Sequence, residues 1–190
     1  MAERSTKLAV CILAGGIAAG TLDHLSACAS LIPHGTSAIG MLQYIASGAI
    51  GKRAFSGGLA TAALGLAVHF SLTVTMAAVY VFTALRAPSL LVRPWTSGIV
   101  YGILIFLVMN YIAVPLSFAP NWKPPAGWGL VGAVLASCLY VGVPMTSFAT
   151  YFLVPRPDRS RPSASAPISH PVALIREVGS PGHARERGRV

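Results

Sequence analysis

The 190 residues are 54% hydrophobic and only 10% charged, with a mean hydropathy of +0.67, which excludes an ordinary water-soluble domain. The net charge of +9 would point to nucleic acid in a soluble protein, but seven of the fourteen lysines and arginines follow Val154 and the others flank apolar runs. A lipid bilayer is therefore the partner the charge implies, and nucleic acid is not.

A membrane-crossing helix needs roughly 20 apolar residues, and four runs qualify, at about 8–32, 59–85, 97–118 and 128–153. The fold class expected is all-α. Residues 1–154 form an integral membrane bundle of four transmembrane helices, with a short interfacial amphipathic helix at about 39–55 between the first and second. Residues 155–190 are rich in Pro, Ser and Arg and poor in large apolar groups, and so read as a disordered basic cytoplasmic tail. Arg4, Lys7, Arg86, Arg93, Arg156, Arg159 and Arg161 fall on one side of the spans, against Lys52, Arg53 and Lys123 on the other. That bias puts both termini in the cytoplasm.

The first run opens with Arg4 and Lys7 and reaches the small residues Ala27-Cys28-Ala29, a pattern that also fits a cleavable signal peptide or, through Leu25-Ser26-Ala27-Cys28, a lipoprotein cleavage box. Asp23 and His24 argue against cleavage, because they interrupt the apolar region that should lead into it. Asp23 is also the only acidic residue between Glu3 and Asp158. A carboxyl group inside a span costs at least about 2.5 kcal/mol on insertion scales, so it should face protein or water and have a partner. Gly16, Gly20, Asp23 and Ala27 share one helical stripe, and the glycines allow a neighbouring backbone to come close. Pro33-His34-Gly35-Thr36 ends the helix in a turn.

In the 39–55 segment Leu42, Ile45, Ala46 and Ala49 make an apolar face, with Gln43, Ser47 and Gly51 opposite. The segment is too short to span and should lie in the interface or re-enter the membrane, as a connector or as a gate over the outer mouth. Ser56 is the expected N-cap of the second span. That span carries Ala62, Gly65, His69, Thr73 and Met76 on one face, and His69 is either a hydrogen-bonded core residue or a proton carrier. The third span has the packing pair Gly98 and Gly102, then Asn110, and Pro115 as a kink near its outer end. The fourth has Gly129, Ala133, Ser137 and Tyr140, with Pro144 as a second kink, and Trp95, Trp122 and Trp128 sit at interface depth. Cys11, Cys28 and Cys138 have no metal-ligand spacing and read as small apolar packing residues.

At 1.5 Å rise per residue, Asp23, His69, Asn110 and Ser137 all lie roughly 12 to 15 Å below the outer ends of their helices. Together with His24 and Tyr140 they would make one buried polar layer, either joining the helices by hydrogen bonds or serving as a proton relay. Gly16, Gly20, Gly65, Gly98 and Gly102 are the expected helix-packing positions.

Several short runs carry a resemblance. Gly20-Thr21-Leu22-Asp23, Leu42-Gln43-Tyr44-Ile45-Ala46-Ser47-Gly48, Ala54-Phe55-Ser56-Gly57-Gly58, Leu64 through Phe70, Met109-Asn110-Tyr111 and Pro115-Leu116-Ser117 resemble small bacterial membrane proteins of the YagU type. The resemblance, which covers about 15–117, implies a bacterial inner membrane and a four-helix architecture, and brings no activity with it.

No Walker, dinucleotide, HExxH, CxxC or GxSxG pattern is present in the sequence, so no enzyme, metal or cofactor is expected. The leading function is a structural or accessory membrane protein whose polar layer organises the bundle. The alternative is a proton-linked transporter or channel using Asp23 and His69. With only four spans it would act as an oligomer through the glycine faces, which equally suit a membrane partner protein.

Overall fold

The computed structural model describes residues 2–154, which are mostly helical and contain no strand. Helix α1 is Ala2–Leu31, α2 is Ala38–Ile50, α3 is Gly58–Arg86, α4 is Pro94–Leu116 and α5 is Gly127–Leu153. Four stretches are long and apolar enough to cross a membrane: Ser5–His34, Gly58–Arg86, Pro94–Leu116 and Gly127–Leu153. The expected tail at 155–190, with the three arginines it contributes to the charge bias, lies outside the described residues.

Large apolar side chains on every span point away from the protein, among them Leu25, Phe82, Leu104 and Leu135, each more than half exposed. Such faces would aggregate in water but match lipid tails. The interior is made instead of small and medium groups, including Cys11, Ala19, Ala77, Val81, Val141 and Ala149. The ends of α1 and α5 that carry the chain termini, which we call the near end, pack together through Cys11, whose thiol donates to the Phe148 carbonyl at 3.9 Å. Glu3 and Lys7 pair there at 2.7 Å, and the ammonium holds the Glu3 carboxyl below the usual carboxylate range. Both are exposed, so the pair contributes little to stability.

Without a hydrophobic force between helices in lipid, close packing has to come from shape. All five glycines singled out for packing are pressed against a neighbour. A Cβ on Gly16 would lie 2.6 Å from Val74 Cα, and one on Gly20 would lie 2.7 Å from Thr73 Oγ1, so these two seat α1 on α3. Gly98 would strike Val143 Cα at 2.7 Å, and Gly102 would strike the backbone at Ser137 and Cys138, seating α4 on α5. Gly65 faces the Leu42 carbonyl oxygen so directly that no side chain fits. Gly142, absent from the sequence reading, completes the α4–α5 contact against the Gly98 carbonyl.

Two expectations are corrected. The segment between the first two spans is helical over Ala38–Ile50 and then a 3-10 stretch, Gly51–Ser56. Its faces are also reversed: Met41, Gln43, Ala46 and Ser47 are buried, whereas Ile39, Tyr44 and Ile50 are exposed. The polar residues turn inward because partners wait there. Gln43 Nε2 donates to the Gly58 carbonyl at 3.1 Å and to Thr61 Oγ1 at 3.4 Å, and Ser47 donates to the Tyr44 carbonyl at 2.6 Å. Secondly, Ser56 does not cap α3. Gly57 occupies the N-cap, and the Ser56 hydroxyl donates instead to the Arg53 carbonyl.

The two prolines of the spans, Pro115 and Pro144, share a local setting. Both are preceded by a π-helical turn, Met109–Ala113 before Pro115 and Ser137–Gly142 before Pro144. Proline lacks an N–H and crowds the carbonyl four residues back. The wider turn moves that carbonyl away: the Val114 amide reaches the Met109 oxygen, and the Val143 amide reaches the Cys138 oxygen.

Substituting Gly142→Ala should therefore destabilise the folded protein by about 1–3 kcal/mol, because the obstacle is backbone and cannot rotate away. Gly129 has nothing within 4 Å of its added Cβ, and Gly129→Ala should be neutral or slightly stabilising. Detergent-titrated unfolding followed by circular dichroism compares the two.

Candidate functional site

The α1–α3 interface holds the ionisable groups. His69 sits one turn from Gly65 and one from Thr73, the face α3 buries, and is itself 8% exposed. Its Nε2 lies 2.8 Å from the Gly20 carbonyl oxygen. A carbonyl only accepts, so Nε2 carries a proton and donates. The contact exists because Gly20 has no side chain, which brings the two backbones within reach. Phe70 and Thr73 close around the same glycine, and the Thr73 hydroxyl is spent on the Phe70 carbonyl at 3.1 Å.

One turn along α1, the His24 ring lies 5.6 Å from that of His69, centroid to centroid, at 54°. His24 Nε2 also lies 3.7 Å from the Cys28 sulfur, a local contact along one helix. Asp23 is half-buried beside them and interacts electrostatically with His69 first and His24 second. No side-chain hydrogen bond to its carboxylate forms among the described residues. Asp23, His24 and His69 thus make a cluster of three titratable groups in which only His69 is tied to the backbone of another span.

The other residues assigned to the polar layer lie elsewhere. Asn110 falls in the π turn of α4, and its Nδ2 donates to Phe106 O at 2.9 Å within the same helix. Its carbonyl is more informative than its side chain, for it accepts from Trp122 Nε1 at 3.1 Å and pins the loop after α4. Ser137 opens the π turn of α5 and meets α4 through its main chain at Gly102. Tyr140 is 40% exposed. Depth arithmetic sets these groups at one level, but azimuth directs them to different neighbours.

Hydrogen bonds from side chain to main chain do join further spans, through residues the sequence reading passed over. Tyr101 on α4 donates to Met76 O on α3 at 2.7 Å, with the Tyr80 ring 5.1 Å away. Thr146 on α5, fully buried, donates to Pro94 O at 2.8 Å. Tyr80 and Ser97 share Leu90 O in the link between α3 and α4. A tyrosine or threonine in an apolar run gives no periodic signal, which is why these were missed. Among the described residues no group of three His, Cys, Asp or Glu could hold a metal ion.

No family model, curated protein or solved structure matches the chain.

If the His69–Gly20 bond is the only interhelical hydrogen bond of the cluster, His69→Leu should cost about 0.6 kcal/mol, and at most about 1.7. The Gly20 carbonyl keeps its own helical bond, so no orphan is left. Asp23→Asn should leave stability unchanged or raise it, since it removes a charge and no bond. Unfolding in mixed micelles measures both, and a larger loss for Asp23→Asn would show that the carboxylate is a structural partner.

Proposed function

We propose that this chain is a multi-pass protein of a bacterial inner membrane with a structural or accessory role, both termini cytoplasmic, and that it belongs with the YagU-type proteins it resembles. The observation that carries the role is the contact of His69 with the Gly20 carbonyl across a glycine-seated interface, with the same style of glycine seating between α4 and α5. Hydrogen bonds from side chain to main chain fix helix register. The bundle thereby becomes a rigid body that presents apolar surfaces to lipid or to a membrane partner. The excess of Lys and Arg at the near end supports the orientation.

A second reading has its own support. Asp23 is expensive to keep in a span, yet contributes no hydrogen bond to the packing, and it lies against two imidazoles. Groups that share a partly dry site in this way titrate as a coupled set and can pass a proton among themselves. On this reading the chain is a proton-linked transporter or channel acting as an oligomer.

Proteoliposomes with a trapped pH dye separate the two. A structural role predicts no proton flux in the wild type, under either gradient direction or an imposed potential, and normal membrane assembly of Asp23→Asn. Flux present in the wild type and lost in both Asp23→Asn and His69→Ala, each verified as folded, would overturn it in favour of the relay.

A further inference from the structure

Helices α3 and α4 are joined in their near halves by Tyr101, which reaches Met76 O, and by the Tyr80–Tyr101 ring pair. Toward the other end of the spans, the far end, they part. Between them runs a groove of about 290 Å³, flanked by α2 and lined by Tyr44, Ile45, Val68, Leu72, Met109 and Ala113. Its lining is almost wholly apolar, and Gly48 and Ala49 leave it room on the α2 side. The α4 wall contains the π turn Met109–Ala113, a deviation from helix geometry that often marks functional sites.

The links beside the far end of this groove carry Lys52, Arg53 and Lys123. Gly48 and Ser117 both line it, the Phe118 amide donates to the Gly48 carbonyl at 3.1 Å, and Gly51 lies against Phe118. Lys52 and Arg53 follow Gly51 directly. Lys123 follows Trp122, which the Asn110 carbonyl holds on α4 at the same end. No acidic residue occurs between Asp23 and Asp158, so no carboxylate in the intervening loops can neutralise these three cations. An apolar slot between two spans, with unneutralised cations at its headgroup end, is complementary to a molecule that has an acyl chain and an anionic head.

We infer that the groove between α3 and α4 is a binding site for one anionic phospholipid, an acyl chain lying along Val68, Leu72 and Ala113 and the phosphate held by Lys52 and Arg53, with Lys123 nearby. The reversed face of α2 belongs to the same arrangement. Its polar side is spent on α3 and its main chain, so the face toward the groove is apolar and the cations come at its end. Basic residues near a membrane surface attract anionic lipid through ordinary electrostatics. The groove adds selection of a single molecule.

The test is native mass spectrometry of the full-length, delipidated protein titrated with phosphatidylglycerol or phosphatidylcholine of identical chains. One phosphatidylglycerol should be retained at protein concentrations where phosphatidylcholine is lost, with a preference of roughly tenfold or more, as two basic contacts allow. Lys52→Gln with Arg53→Gln should abolish the preference. These side chains lie in the link after α2, so the variant does not threaten the core. Ala113→Phe should block retention from inside the groove, and Ala49→Phe does so from the α2 wall if the first fails to fold. The soluble headgroup glycerophosphoglycerol should compete poorly. Equal retention of both lipids by the wild type, undiminished preference in the Lys52/Arg53 variant, unchanged binding in a folded groove-filling variant, or full competition by the soluble headgroup would each overturn the site.

Discussion

The constraint on which the rest of the bundle is built is the close seating of α1 on α3 at Gly16 and Gly20, where the Gly20 carbonyl also meets the His69 ring. Lipid supplies no hydrophobic force between helices and no water for unsatisfied polar groups. Two spans must therefore come close enough for dispersion between many atoms, and any polar side chain between them must find a partner within the protein. Gly16 and Gly20 meet the first demand and the Gly20 oxygen meets the second. A larger residue at position 20 would fail on both counts, since it would push α3 away and leave a buried imidazole without its acceptor. Sterics and hydrogen bonding are thus one constraint here.

Much of this was legible in the chain before any coordinates. The four spans follow from length and hydropathy alone, and their ends lie within a few residues of those read from the sequence, because the polar and proline-containing links are abrupt. Gly16, Gly20, Gly65, Gly98 and Gly102 could be singled out because small residues at a spacing of three or four have few uses in a span other than close approach. Asp23 and His69 stood out by rarity. What could not be read was azimuth. Counting residues along the helices sets Asn110 and Ser137 level with His69, but a rotation of one residue, about 100°, decides whether a side chain meets a neighbour or lipid. Each π turn adds such a rotation partway along α4 and α5, so a helical wheel drawn from one end of the span fails beyond it.

The reversal of α2 has a related cause. An amphipathic segment declares two faces but not which solvent lies on either side. In water Leu42, Ile45 and Ala49 would be the inner face. In this bundle Ala46 is buried together with Gln43 and Ser47, and Ile39, Tyr44 and Ile50 turn outward. The choice is set by the start of α3, where the Gly58 carbonyl and the Thr61 hydroxyl are available to Gln43 and where Gly65 lets the α2 backbone come near. Gly51, at φ +66°, a region that other residues rarely adopt, lets the chain turn between the two helices.

These constraints divide the bundle into two glycine-seated pairs. The α1–α3 pair carries every ionisable side chain of the spans' interior that sequence reading had singled out, and its helices are regular throughout. The α4–α5 pair carries Pro115, Pro144 and both π turns, and its side-chain hydrogen bonds run from Thr146 to Pro94 O and from the Cys138 thiol to Ile99 O. In the second pair, Gly98 meets Val143 and Gly142, and Gly102 meets Cys138, four residues apart on each helix and running in opposite directions. The α5 π turn, Ser137–Gly142, lies between these two contacts, so its extra width is absorbed where α4 offers only hydrogen atoms. Glycine on one helix thereby permits proline on the other. The pairs meet along α1 and α5, where Gly15 lies against Phe148 and Ala19 packs with Val141 and Met145. Across α3 and α4 the tyrosine contacts join the near halves, and the apolar groove opens between the far halves.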